Sequence, residues 1–214
     1  MSLKTLKDSI DGFSEDRLYD WNGWDIIKAL KLLAQTNPSI VEWLYSPIVY
    51  HKNDAYNFVE QCIGLIEEEQ RLMPLIYHYR SMAKANYKTH IENKNLVKIK
   101  KYLYVIRPAG MVEWLLKCKK QAKQLVKIDF NDVLVELKEC IPIEVYSSIK
   151  DVIEKKKLLK ELDEEPRVVC LDNWIESILK YTDDDFKNFN LISKERKPLD
   201  DYDTVLHSLL DIKL

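Results

Sequence analysis

Glycine is scarce in this chain. Its 214 residues include 4, standing alone at Gly12, Gly23, Gly64 and Gly110. Neither G-x-G-x-x-G nor G-x-x-x-x-G-K-[ST] can therefore be written anywhere, which excludes Rossmann-type dinucleotide loops and P-loops. Low glycine beside abundant Lys, Glu, Leu and Ile favours a mainly helical protein. An excess of charge is missing too: 33 Lys and Arg stand against 35 Asp and Glu, a net −2. That balance argues against nucleic-acid binding through global charge and leaves only a local patch for such a contact. The 4 cysteines (Cys62, Cys118, Cys140 and Cys170) are far apart, with no C-x-x-C and no His pair nearby. Zinc-ligand spacing is absent, and free buried thiols in a reducing compartment are expected. No apolar run approaches the roughly 18 residues of a membrane span, and Met1-Ser2-Leu3-Lys4 opens no signal-peptide core. A soluble, cytoplasmic protein without a membrane partner is expected.

What is present begins with alternation. Ser9-Ile10-Asp11-Gly12-Phe13 and Arg17-Leu18-Tyr19-Asp20-Trp21 alternate apolar with polar residues, the period of half-buried strands, around a turn at Gly12 to Asp16. After Asn22-Gly23 a helix carries Trp24, Ile27 and Leu30 on one stripe and ends at Asn37-Pro38. Ile40 to Leu44 forms a short apolar helix, and Ser46-Pro47-Ile48-Val49-Tyr50 reads as an extended segment. From His51 onward the period is 3.6. Helices are expected over 53–69, 73–92, 95–118, 130–139, 143–162, 171–181 and 200–212, with Pro142, Pro166 and Pro198 marking breaks. The alternating charges from Glu154 to Glu165 read as a solvated face.

Three groups of residues could carry chemistry. Of the histidines, His51, His90 and His207 read as surface or half-buried residues, while His78, in Tyr77-His78-Tyr79, is a candidate for lining a site. The helix from Leu96 to Pro108 interleaves cations with tyrosines. Lys100, Tyr104, Arg107 and Met111 share one face, and Lys98, Lys101, Tyr102 and Val105 a neighbouring one. Such a helix can hold a phosphate chain and stack a base. The blander alternative is a core helix whose lysines reach to water, and the residue pattern favours it. Arg107, set in apolar surroundings, needs an anionic partner if it is buried. The third group is acidic. Asp20 sits at a strand end, where carboxylates serve as Mg²⁺ ligands, whereas Asp25 is explained by the start of a helix.

Five ordered blocks carry a resemblance. They are Trp21-Asn22-Gly23-Trp24-Asp25 running to Leu33; Asn37-Pro38 to Leu44 with Ser46 to Tyr50; Tyr77-His78-Tyr79-Arg80 to Tyr87; Val97 to Pro108 followed by Trp114; and Glu165-Pro166-Arg167-Val168 with Leu171-Asp172. Together they resemble the nucleotidyltransferases of the DNA polymerase β superfamily, in the group associated with RNA-repair ligases, over nearly the whole chain. The resemblance implies an α+β, predominantly α protein. Residues 1–50 would be a remnant of the nucleotidyltransferase core (strand pair, helix, short strand), and 51–214 a helical domain.

In that superfamily a Gly-Ser pair holds the nucleotide phosphates, and an Asp-x-Asp on the adjoining strand binds the metals. This chain contains no Gly-Ser, and Asp183-Asp184-Asp185 is in the wrong context. The expectation is a chain that begins downstream of that motif, with Asp20 as the third carboxylate and Mg²⁺ engaged only when the missing segment is supplied. Intact relatives, the resemblance implies, transfer NMP from an NTP by in-line attack on the α-phosphate. Here Lys98, Lys101, Tyr102, Arg107 and His78 are the candidate nucleotide contacts, on chemistry and position. The expected partners are an NTP and an RNA or protein acceptor. The rival reading is a non-catalytic nucleotide- or RNA-binding module, or a scaffold that forms homo-oligomers through exposed remnant core.

Overall fold

The structure, a computed structural model, describes residues 7–50, 56–69, 71–118, 126, 129–158, 164–188 and 197–211. In chain order the first elements are β1 (Ser9–Phe13), β2 (Asp20–Trp24), α1 (Ile26–Leu33), α2 (Pro38–Leu44), α3 (Tyr56–Glu69) and α4 (Met73–His90). There follow β3 (Leu96–Lys98), α5 (Ile99–Glu113), a π-helical turn (Trp114–Cys118), α6 (Phe130–Leu137) and α7 (Ile143–Leu158). The last are β4 (Glu164–Pro166), α8 (Val169–Leu179), α9 (Asp183–Asn188) and α10 (Leu199–Asp211). The class is α+β and predominantly α, as expected. The chain forms two compact units, residues 1–70 with 195–214, and residues 71–194. These bodies divide differently from the expected segments 1–50 and 51–214, because the C-terminal residues fold with the N-terminal ones.

In the first unit β1 and β2 pair antiparallel, Ser9 opposite Trp24 and Phe13 opposite Asp20. The second strand was expected over Arg17–Trp21 and starts three residues later. The turn itself consumes those residues: Ser14 N donates to Tyr19 O at 2.8 Å, Asp16 accepts from Leu18 N at 3.0 Å, and Arg17 is left-handed at φ 56°. Gly12 lies beneath the Trp21 ring, so close that a Cβ there would stand 2.5 Å from Cζ2. Asp25 is the N-cap of α1 and accepts from Ile27 N (2.9 Å) and Lys28 N (3.4 Å), the structural role expected of it. Asn37 caps α2 in the same way, with Pro38 in the first turn. Trp24 stacks on Trp43 at 4.2 Å. The short strand expected over Ser46–Tyr50 does not form; residues 47–50 are exposed, and without a neighbouring strand no ladder can hold them. α10 packs on α3 and α1, burying Ile66, Leu33 and Tyr202.

The second unit is organised around α5. From Ile99 to Leu116 its inward positions are almost continuously buried, and α4, α6, α7 and α8 pack against it. Pro108 stands inside α5, and the helix widens into the π turn one residue after Glu113. Gly110 permits the contact with α6: a Cβ there would meet the Phe130 ring at 2.7 Å. β3 and β4 pair antiparallel, Leu96 opposite Pro166, and tie the start of α5 to the start of α8. Neither strand nor α9 was expected from the sequence. Cys62 and Cys170 are free, and burial pushes the Cys62 thiol up to about 12. Cys140 is disulfide-bonded, which corrects the expectation of free thiols there; spacing along the chain does not report proximity in space. His51 and the side chain of Cys118 lie outside the described residues.

Candidate functional site

Three of the quoted sequence blocks end on one polar network in the second unit. α4 turns Tyr79, Ala83 and Tyr87 inward at helical spacing. α5 turns in Tyr102, and the β3–β4 pairing delivers Arg167 and the first turn of α8, with Asp172, to the same place. Tyr102 Oη donates to Asp172 Oδ1 at 2.6 Å and lies 3.2 Å from Val168 O. Arg167 Nε donates to Asp172 Oδ2 at 2.7 Å, and Arg167 Nη2 to Tyr87 Oη at 3.1 Å. Tyr87 Oη in turn donates to Glu176 Oε1 at 2.7 Å. Burial, then the Asp172 bond, pushes the Tyr102 phenol up; burial, then the Glu176 bond, pushes Tyr87 up to about 12. Every member has its partner. The network braces α4, α5 and α8, and Tyr102 is fully buried within it.

The other candidates on α5 are outside that core. Lys98 and Lys101 are partly exposed, and Arg107 is exposed, so the buried guanidinium considered above does not arise. Val105 and Ile106 point inward while Arg107, 100° further round the helix, points out. Lys101 Nζ stands 4.7 Å above the Tyr104 ring, which is 42% exposed. His78, half-buried on α4, meets the Tyr79 ring edge-on at 5.4 Å. At the turn between α4 and α5 the cations crowd. Burial, then the ammonium groups of Lys101 and Lys94, depresses the proton affinity of His90. Residues 71–117 hold ten Lys and Arg against Glu92 and Glu113 alone, a net +8 inside a chain of net −2. This stretch was legible in the sequence as a block predominantly of one charge sign and is masked only by whole-chain totals. Among the described residues none of Lys84, Lys88, Lys94, Lys98 and Lys101 forms an ion pair, whereas Lys117, Lys155, Lys157 and Lys180 each hold a carboxylate.

Glu113 is a carboxylate the sequence reading passed over. It is 2% exposed, accepts from Trp174 Nε1 at 3.2 Å and pairs with Lys117 Nζ at 3.0 Å across the π turn. Beside it Trp114 Nε1 donates to Glu136 at 2.5 Å. The signal was available: a single acid in the apolar run Gly110 to Leu116.

Asp20 belongs to the first unit. It is the exposed first residue of β2, and no set of three or more His, Cys, Asp or Glu that could hold a metal occurs among the described residues. Two-metal chemistry needs about three carboxylates, so these donors do not fit a Mg²⁺ pair.

Comparison with known proteins places these features in a lineage. A Bacillus subtilis (strain 168) protein, the uncharacterized YcgL, is 33% identical over 176 residues. That match takes in 82% of this chain and 64% of YcgL, so the chain spans less than two thirds of that relative's length. No solved structure matches the chain. The family model described as the RNA repair pathway DNA polymerase beta family matches residues 1–206, and the chain belongs to that family.

Proposed function

We propose that this chain supplies the nucleotide-holding helical part of a nucleotidyltransferase of the polymerase β superfamily. The observation that carries the reading is the outward stripe of α5. Lys101 lies over Tyr104, with Arg107 less than one turn further on and Lys98 at the helix start. Cations of this kind grip a triphosphate by charge-assisted hydrogen bonds, and an exposed tyrosine offers a base its face. Tyr102 leaves the set, because its hydroxyl is spent on Asp172. The family supports NMP transfer from an NTP as the reaction class. In this reading the residues of α5 bind and orient the phosphates.

Calorimetric titration of the whole chain with ATP and UTP, with and without Mg²⁺, tests this. NTP binding that survives chelation of Mg²⁺ is expected, because the gripping groups are cations. A Lys101→Ala, Arg107→Ala double substitution is expected to weaken it at least tenfold while the far-ultraviolet circular dichroism of the fold is retained, since charge-assisted bonds are worth about 1.5–3 kcal/mol each. No NTP binding by the unaltered chain, or unchanged binding by the double variant, defeats the reading.

A further inference from the structure

The triphosphate accounts for only part of the positive charge. Lys98, Lys101 and Arg107 suffice for it, and they leave Lys84, Lys88 and Lys94 without a task. Lys84 and Lys88 are exposed one turn apart on α4, about 6 Å along its axis. Lys94 follows in the turn that leads to β3, and its ammonium, like that of Lys101, acts on His90. The Lys94 ammonium also donates to Thr89 O at 2.9 Å, and none of the three meets a carboxylate among the described residues. Unneutralised lysines strung along a helix and its following turn repel one another. They suit a ligand whose negative charges are strung out likewise. An extended chain of phosphodiesters fits an open basic flank.

We infer that Lys84, Lys88 and Lys94 form a binding flank for a nucleic-acid backbone, leading along α4 toward the start of α5. This deepens the nucleotide reading and rests on it only for what lies beyond Lys94. The flank contacts phosphates and reads no bases, so binding is insensitive to sequence and steeply dependent on salt.

Fluorescence anisotropy of the full chain with a labelled oligouridylate of about 12 nucleotides, alone and annealed to its complement, tests this. Three phosphate contacts predict a log–log salt slope near −2 for the single strand, at about −0.7 per contact. Lys84→Ala with Lys88→Ala is expected to lower affinity about tenfold and to remove about 1.4 from that slope. The melting temperature should not move, since both side chains are exposed. NTP binding should be unchanged in the same variant. Failure of the oligonucleotides to bind at low salt, an unaltered slope in the variant, or equal binding of poly-glutamate at matched charge overturns the inference and leaves the nucleotide reading standing. Loss of NTP binding from Lys101→Ala, Arg107→Ala with the strand still held shows the two contacts to be separate and supports the flank.

Discussion

Asp172 gives each of its two oxygens to a different partner, one to the Tyr102 hydroxyl and one to Arg167. Asp172→Asn should keep an acceptor for Tyr102 and strand the guanidinium. Arg167 is about a quarter exposed, so the cost falls below that of a fully buried pair, at about 2 kcal/mol in a urea melt. Tyr102→Phe should cost about 1 kcal/mol. The two phenols also set an alkaline limit. Their folded pKa values lie above the unfolded value near 10, so the unfolded chain loses these protons first. Stability from this source is intact below pH 10 and declines as pH climbs toward about 12, the value for Tyr87. Melts across pH 9 to 11 should lose less midpoint in Tyr102→Phe than in the unaltered chain. Thr36 offers a gain instead. It is β-branched at φ 55°, and its buried hydroxyl meets no hydrogen-bond partner. Thr36→Gly relieves both faults at the loss of two buried side-chain carbons, Cβ and the methyl, and should stabilise by about 1 kcal/mol. None of these pairings was legible: Tyr102 and Asp172 were quoted in separate blocks 70 residues apart, and periodicity carries no information at that range.

Helices were the legible elements, because each writes its own period and is punctuated locally by proline or a cap. The expected 73–92 became Met73–His90 and the expected 130–139 became Phe130–Leu137. β3 and β4 escaped because three residues are too few to alternate, and each gains its partner only through a pairing across some 68 residues. α9 escaped because Asp183-Asp184-Asp185 offers no apolar spacing. The break of α5 into a π turn has a testable counterpart in its packing. At Gly110 a methyl group would be pressed into the Phe130 ring and Leu137. Gly110→Ala is therefore expected to destabilise by about 1–3 kcal/mol in spite of alanine's better helix propensity. Gly12→Ala makes an instructive contrast. The clash there is with the outer edge of Trp21, a ring 51% exposed and able to swing. Stability should change by no more than about 0.5 kcal/mol, while the tryptophan emission shifts as the ring leaves its seat. The hairpin that carries it also exposes Phe13, Leu18 and Tyr19, the observation that favours a scaffold role; sedimentation velocity that finds only monomer at high concentration would count against that role.

At the scale of the whole molecule, the net charge of −2 misdescribes the chain. The candidate site was half legible for that reason: the tyrosine–lysine helix stood out, while the charge block reaching back to Arg71 was averaged away by acids elsewhere in the sequence. The unpaired lysines of α4 and its following turn have a consequence for the protein as a solute. A particle that is almost neutral in sum and strongly basic in one stretch has little long-range repulsion to keep copies apart. In dilute buffer the basic stretch of one copy attracts acidic stretches of the next. Added salt weakens that attraction as the screening length contracts below about 10 Å. Light scattering should therefore give a negative second virial coefficient at low ionic strength that climbs with sodium chloride, so that the protein salts in. A cation-exchange resin should retain it at neutral pH despite its negative sum, and Lys84→Ala with Lys88→Ala should elute earlier.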